Sequence, residues 1–224
     1  MFRPPRAAFS NTTGVLCDYQ ISMVSMIPLQ GALRLKDATD LPPHITRGQY
    51  LSMVDIARTK HDLGPGKRYV HMQRCVRDPI LLRLMWETGG RVSDIADARI
   101  SDFDFGRRIL NLRVKKTKKV NAIPLEEGTL LDISSHGEYL LAGRTMFGVN
   151  RWQIWNIVRE YGADAGLKVH PHMFRHGLAI HLLEQGVPIP VISARLGHSS
   201  VLTTMRYYLV ITPEVQRQFV AGKV

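Results

Sequence analysis

The sequence predicts a mainly α-helical fold with a small antiparallel β-sheet, an α+β domain. Apolar residues recur at helical spacing in several stretches, and glycines follow where these stretches end. Two short β-prone runs in the middle of the chain, separated by a few polar residues, predict a hairpin. With 224 residues and 45% hydrophobic content, the chain can bury a sizeable core in one domain, or in one domain with a small appendage.

Two helices are predicted before the hairpin. The run from Pro79 to Trp86 is apolar enough for a buried helix, which ends at Gly89 and Gly90. After Arg91, the sequence VSDIADARI predicts a shorter helix with Ser93 as its N-cap. Residues 1 to 42 are poorly patterned and interrupted by prolines, so we expect an arm there and the main domain from residue 43 to 224.

The later helices follow the hairpin. Apolar residues recur at every third position from Trp152 to Tyr161, which predicts a helix with Trp152 and Trp155 in the core. A second helix is predicted from His172 to Gln185, ending at Gly186. Shorter helices are predicted over residues 188 to 196 and 203 to 208, and a tail helix begins near residue 212.

The predicted hairpin carries a concentration of positive charge. Its strands are expected from Ile109 to Val114 and from Val120 to Ile123, and residues 107 to 119 include seven basic side chains and no acidic one. A solvated basic surface is the alternative, but contact with a DNA backbone is the favoured interpretation. The cations expected to contact DNA are Arg107, Arg108, Arg113, Lys115, Lys118 and Lys119.

Composition narrows the partners and the compartment. Thirty Lys and Arg against 19 Asp and Glu give a formal charge of +11, which favours nucleic acid as the partner over a merely basic protein. The two cysteines, Cys17 and Cys75, fit no CxxC spacing, and no apolar run reaches the length of a membrane span. We therefore expect a cytoplasmic protein that does not associate with a membrane.

Candidate groups for phosphoryl transfer lie in the last third of the chain. His172 and Arg175 open a predicted helix three positions apart, so both can contact one phosphate, although an isolated pair of this kind is more often structural. His172 and His176 lie four apart, but the intervening residues lack the glutamate of HExxH and include a cation. We therefore expect no metal and no cofactor.

The pair belongs to a longer series of motifs in fixed order. It comprises TGGRVSD at residues 88 to 94, a lysine eight residues before Pro124, HMFRH at 172 to 176, LGHSS at 196 to 200 and TTMRY at 203 to 207. The series resembles the signature of the tyrosine recombinase, or phage integrase, family over roughly residues 43 to 210. The resemblance implies the catalytic-domain fold of that family, with catalytic residues Arg91, Lys116, His172, Arg175, His198 and Tyr207.

The resemblance also implies a role for each residue. The two arginines and His198 contact the scissile phosphate, and His172 helps to take the tyrosine proton. Lys116 is the acid for the leaving 5′ oxygen, Tyr207 is the nucleophile, and Asp94 orients its neighbours. Tyr207 is favoured over Tyr208 because it has the TTxxY register; Tyr208 is expected to pack against the domain, and Tyr208→Phe to remain largely active.

The resemblance implies site-specific recombination or integration of double-stranded DNA by subunits that associate as a dimer or tetramer. Two other functions stay open: strand relaxation of the type IB topoisomerase kind, and a regulator that binds DNA without cutting it. The family usually has an N-terminal helical domain that clamps DNA, which the short arm does not supply. A naturally minimal enzyme, a truncated chain and a clamp from another protein are all compatible with this sequence.

Overall fold

The computed structural model describes residues 34–35, 40–60, 69–116, 118–137, 140 and 145–210. Within these residues the fold is mostly helical, with one three-stranded and one two-stranded antiparallel sheet, which confirms the predicted fold class. In chain order the elements are β1 (Arg34–Leu35), α1 (Arg47–Thr59), α2 (Tyr69–Thr88), α3 (Val92–Ala96), β2 (Phe103–Asp104), β3 (Ile109–Val114), β4 (Lys119–Pro124), α4 (Glu127–Ser135), α5 (Arg151–Asp164), α6 (Pro171–Glu184), α7 (Ile189–Leu196), α8 (Val201–Tyr208) and β5 (Leu209–Val210).

Helix α2 is the centre of the core. Its second half is almost completely buried and packs against α1, α4 and α6. The predicted helix over the apolar run is confirmed but too short, because α2 starts at Tyr69 and includes Pro79 as an internal residue. The ten residues before Pro79 mix charged and apolar side chains, so only the buried half of the helix is visible in the sequence as an apolar run.

Helix α1 is fixed to α2 and α6 by aromatic packing. The rings of Tyr50 and Trp86 stack with centroids 4.8 Å apart, and Tyr50 meets Phe174 edge to face at 6.4 Å. Thr46 and Gln49 form a reciprocal capping box at the start of α1, which satisfies backbone donors that the first turn leaves free. This packing places the start of α6 beside the last turn of α2.

The hairpin of β3 and β4 is confirmed. Leu110 pairs with Ile123 and Val114 with Lys119, and β2 adds a short third strand beside β3. Leu110, Leu112 and Val114 alternate with exposed residues, so one face of β3 is buried. The sheet therefore packs on the domain while the connection between β3 and β4 extends into solvent.

Two details of the sequence prediction are wrong, and two lie beyond the described residues. Helix α3 is capped by Arg91 rather than Ser93, since the Arg91 carbonyl accepts the Ile95 N–H at 3.0 Å. Trp152 is 64% exposed because the buried face of α5 is formed by Ile154, Ile157, Val158 and Tyr161, and Trp152 lies on the other side of the helix, while Trp155 is half-buried. The predicted tail helix lies beyond the described residues, as does most of the predicted arm.

Strand β1, in the predicted arm, pairs with strand β5, the last described element of the chain. Leu35 of β1 lies opposite Leu209 of β5 in an antiparallel register, directly after the last turn of α8. In the part of the chain that the structure covers, none of the helices combines the length and apolarity needed to cross a bilayer.

Candidate active site

The side chain of Arg175 is the centre of the candidate site. It lies on α6, is 6% exposed, and donates from Nη1 to the carbonyl of Gly89 at 2.6 Å. Its Nη2 is buried and has no hydrogen-bond partner among the described residues. A guanidinium keeps its charge at physiological pH, so this nitrogen is a strong donor without an acceptor.

The carbonyl that accepts from Arg175 is positioned by a tight turn after α2. Gly89 has φ of 57°, and a Cβ at this position would lie 2.5 Å from a methyl group of Leu196. Thr88 stabilises the turn, because its hydroxyl donates to the Leu84 carbonyl at 2.6 Å and accepts the Gly90 N–H at 2.9 Å. The turn requires a glycine both for its backbone conformation and for the close approach of α7.

Arg175 and the other predicted phosphate ligands lie close enough for their charges to shift one another's pKa values. Burial, together with the neighbouring charge of Arg91, lowers the pKa of Arg175 to about 10. Burial likewise lowers the pKa of His172 and brings that of His198 to about 4, with Arg175 and Arg91 contributing in both cases. These four residues from α6 and from the ends of α2 and α7 therefore form a cluster of cations and hydrogen-bond donors.

Asp94 connects this cluster to the hairpin. The carboxylate is 2% exposed, accepts the Lys115 N–H at 3.1 Å, and lies 4.0 Å from a guanidinium nitrogen of Arg91. It therefore holds the end of β3 close to Arg91, which agrees with the orienting role predicted for it.

Lys116, the predicted acid, makes no hydrogen bond or ion pair with the cluster among the described residues. It is exposed in the connection between β3 and β4, and among the described residues it has no ion pair. Four of the predicted DNA-contacting cations are instead paired with carboxylates, while Lys118 and Lys119 are exposed. The pairs are Arg107 with Asp104, Arg108 with Glu127, Arg113 with Asp102 and Lys115 with Asp97.

Helix α8 carries Tyr207 and contacts two histidines of the domain. Thr204 Oγ1 lies 2.8 Å from Nδ1 of His198, and the Tyr208 hydroxyl lies 2.7 Å from Nδ1 of His176. Tyr208 is 1% exposed, which confirms that it packs against the domain. The side chain of Tyr207 lies outside what the structure describes.

Two polar residues that the motifs did not identify hold the elements around the site together. Arg195 on α7 donates to the carbonyls of Glu87 at 2.8 Å and Pro124 at 3.1 Å. Asn121 on β4 donates to the Arg195 carbonyl at 2.9 Å. Their hydrogen bonds end on backbone carbonyls, so no pairing of side-chain types in the sequence indicated them.

The donor set of the site suits an anion better than a metal ion. No group of three or more His, Cys, Asp or Glu side chains able to hold a metal ion occurs among the described residues. The side chains that converge near Arg175 are instead mainly cationic or neutral donors, an arrangement that binds oxyanions.

Solved structures show what class of protein has this fold. The crystal structure of XerA recombinase superimposes with a TM-score of 0.62 at 23% identity, over 82% of this chain and 65% of that one. XerH bound to its difH substrate gives 0.64 at 18% identity, over 83% and 55%. A lambda integrase dimer on a core DNA site gives 0.55 at 20% identity, over 77% and 60%. The fold is that of a tyrosine recombinase catalytic domain.

Sequence comparison assigns the family. The Phage integrase family model matches residues 67–212, and the chain belongs to that family. Tyrosine recombinase XerA of Pyrococcus furiosus is 34% identical over 142 residues, which are 59% of this chain and 50% of the relative. XerD of Bifidobacterium longum is 30% identical over 202 residues, 80% of this chain and 61% of the relative. The chain thus matches about half of the length of the first of these relatives.

Two half-buried histidines predict a pH dependence of stability. Burial lowers the pKa of His176, like that of His198, to about 4, from an ordinary value of 6.5. Between these values the unfolded chain binds protons that the folded protein does not, so the free energy of unfolding should decrease as the pH falls from 6.5 toward 4. Urea denaturation at several pH values measures this decrease.

The matched variants are His176→Asn and His198→Asn, compared with His170→Asn at an exposed position. His176→Asn and His198→Asn should each make the free energy of unfolding depend less on pH between 6.5 and 4, whereas His170→Asn should change this dependence less. Equal pH dependence in all three variants would contradict the assignment of shifted pKa values to the half-buried pair.

Proposed function

We propose that this chain cleaves and rejoins double-stranded DNA at specific sites, through a covalent bond between Tyr207 and a 3′ phosphate. The observation that carries the proposal is the buried Nη2 of Arg175, which has no acceptor among the described residues. An unpaired donor on a buried cation is costly unless a ligand satisfies it. The family membership of the chain indicates which ligand that is.

A phosphate diester fits the surroundings of Arg175 better than a carboxylate ligand of the protein does. Arg91, His172 and His198 add donors of the same kind around it, whereas Asp94 is already engaged with the backbone of Lys115. Two planar guanidinium groups can each offer paired donors to the non-bridging oxygens of one phosphate. The cluster would therefore stabilise the additional negative charge of a pentacoordinate transition state.

The proposed reaction needs no external energy source. The Tyr207 oxygen attacks phosphorus as His172 helps to take its proton, and the bond from phosphorus to the 5′ oxygen breaks. Lys116 protonates that oxygen, which leaves as a hydroxyl group. In the reverse direction, a 5′ hydroxyl of the same or another strand attacks the phosphotyrosine and releases Tyr207. Because one ester replaces another, the bond energy is conserved.

Lys116 must reach the scissile bond for this reaction, and its place in the hairpin allows that. The strands on either side are anchored by Asp94 and Asn121, while the connection that carries Lys116 is exposed. We propose that bound DNA brings this connection over the cleaved strand. The acid would then be available only when substrate is present.

The remaining proposals concern assembly and context. XerH was solved with its DNA substrate and lambda integrase as a DNA-bound dimer, and we propose that this chain likewise acts as a dimer or tetramer assembled on DNA in the cytoplasm. We further propose residues 43 to 224 as the catalytic domain and residues 1 to 42 as an arm that precedes it.

The first prediction from the proposed function is a covalent adduct at Tyr207. A nicked suicide substrate loses a short fragment after cleavage, so the wild-type protein should become trapped on DNA, and mass spectrometry of the digest should place the nucleotide on Tyr207. Tyr207→Phe should bind the same DNA and form no adduct. A nucleotide on Tyr208 would overturn the residue assignment, and no adduct from wild type would favour a DNA-binding regulator.

The second prediction concerns the geometry of the Arg175 contact. Arg175→Lys keeps a positive charge but loses the two-pronged donor, so cleavage should fall by about 100-fold or more, whereas the protein should still fold and lose at most about 3 kcal/mol of stability with the Gly89 hydrogen bond. Single-turnover cleavage and urea denaturation measure the two quantities. Near wild-type cleavage by this variant would show that Arg175 is not a phosphate ligand.

The third prediction concerns the exposed lysines of the hairpin. The double variant Lys118→Gln and Lys119→Gln should bind duplex DNA with a smaller salt dependence, by about 0.9 in the log–log slope for each phosphate that the lysines no longer neutralise. Lys60→Gln is the matched control, because Lys60 is already paired with Glu160 and Asp164 at 2.9 and 2.6 Å. If the hairpin variant and the control have equal slopes, the hairpin is a solvated surface only.

A further inference from the structure

Helix α8 is attached to the domain by two similar hydrogen bonds. Thr204 and Tyr208 are four residues apart and are 0% and 1% exposed, so they lie on one buried face of the helix. Each side chain contacts the Nδ1 atom of a histidine from another part of the domain, at 2.8 Å for His198 and 2.7 Å for His176. The short helix is thus held at two points, one turn apart.

We propose that Thr204 and Tyr208 are positioning residues, which fix the rotation of α8 about its axis and thereby the position of residue 207 relative to the phosphate site. This inference rests on the proposed role of Tyr207. Residue 207 is offset by about 100° from residue 208 and about 60° from residue 204 around the helix. With both flanking contacts made, the direction of residue 207 is determined by the two histidines.

One of the histidines that receive α8 belongs to the phosphate site, and the other lies next to it in the chain. His198 is itself a proposed phosphate ligand, and His176 directly follows Arg175 on α6. Helix α8 has only eight residues, a length that has little stability without tertiary contacts. Catalytic groups must be held within roughly 0.5 Å of their productive position. A small rotation of α8 would move a long side chain by more than this, so the two hydrogen bonds couple the nucleophile helix to the arginine and histidine that hold the phosphate.

The contact with Thr204 also links α8 to the protonation of the His198 ring. Burial lowers the pKa of His198 to about 4, so the ring is uncharged near neutral pH and carries one N–H. If the Thr204 hydroxyl donates to Nδ1, the ring proton is on Nε2, where it can be donated to a phosphate oxygen. With the hydrogen bond in this direction, Thr204 sets both the rotation of α8 and the atom of His198 that carries the proton.

This arrangement changes the expectation for Tyr208. From the sequence alone, Tyr208→Phe should remain largely active because it removes a single hydroxyl group. The hydroxyl is, however, buried and bonded to a histidine beside Arg175. We now expect Tyr208→Phe and Thr204→Val each to lower single-turnover cleavage at saturating DNA by about 10-fold, while DNA affinity stays within about 2-fold of wild type.

Matched controls separate positioning from stability. Tyr161→Phe removes another buried tyrosine hydroxyl, which donates to Asp78 at 2.8 Å in a separate network on α2 and α5. Thr203→Val makes the same substitution one residue before Thr204. Both controls should cleave within about 2-fold of wild type, although Tyr161→Phe should lose as much resistance to urea as Tyr208→Phe.

Conservative replacements supply a second readout. Thr204→Ser keeps the hydroxyl group and should restore most of the activity that Thr204→Val loses. His176→Asn retains a side-chain acceptor close to the place of Nδ1, so it should cleave faster than His176→Leu. In a double-mutant cycle, Tyr208→Phe should have little effect in a His176→Leu background, because the same hydrogen bond is already absent.

The outcomes distinguish this inference from the proposed function. If wild type forms the covalent adduct but Thr204→Val and Tyr208→Phe cleave as fast as the controls, the positioning role is wrong and the proposed function stands. If the wild-type protein forms no adduct, the proposed function itself fails. A loss of cleavage that matches the loss of stability in all four variants would assign Thr204 and Tyr208 a structural role only.

Discussion

The hydrogen bond from Arg175 to the Gly89 carbonyl is the interaction on which the site depends. It joins α6 to the turn after α2, and that turn leads directly into Arg91 and α3. The absence of a Cβ at Gly89 lets α7 approach, and α7 carries the chain into Gly197 and His198. One half of the guanidinium therefore organises the protein, while the other half is left for a ligand. The folded protein thus holds one nitrogen of Arg175 in place without an acceptor among the described residues, which favours an anion as its partner.

Much of the fold and most of the candidate residues could be predicted from the sequence. The apolar period of α5 and α6, the hairpin strands and the ordered motifs have local signals that do not depend on the rest of the chain. The first half of α2 had no such signal because it mixes charged and apolar side chains, and the hydrogen bonds of Arg74 with Glu160 and of Asp78 with Tyr161 join it to α5. Trp152 was wrongly placed in the core because a spacing of three residues drifts by about 60° around the helix at each step, and the buried face is instead formed by Ile154, Ile157, Val158 and Tyr161.

The contacts made by Arg195, Asn121 and Thr204 could not be predicted in the same way. The contacts of Arg195 and Asn121 join residues that are distant in the chain and end on backbone carbonyls, and such partners depend on the three-dimensional arrangement of elements. Thr204 meets His198 only six residues away, but this contact depends on how the chain turns between α7 and α8. The sequence also did not show which of the basic side chains of the hairpin pair with carboxylates. Seven basic residues in one stretch suggested a uniform cationic surface, yet four of them face carboxylates. All four remain exposed, and Lys116, Lys118 and Lys119 are the basic residues of this stretch without a carboxylate partner among the described residues.

The pairing of β1 with β5 has a consequence for the order in which the protein folds during synthesis. Leu35 and Leu209 come from opposite ends of the described chain, so their contact has a very long loop to close and forms late in folding. During synthesis, residue 209 leaves the ribosome only after α6 and α7 have been made. Helix α8, which carries Tyr207, is therefore the last part of the candidate site to be secured. For the proposed reaction, this order means that a partly folded chain has the proposed phosphate ligands Arg91, His172 and Arg175 before Tyr207 is fixed.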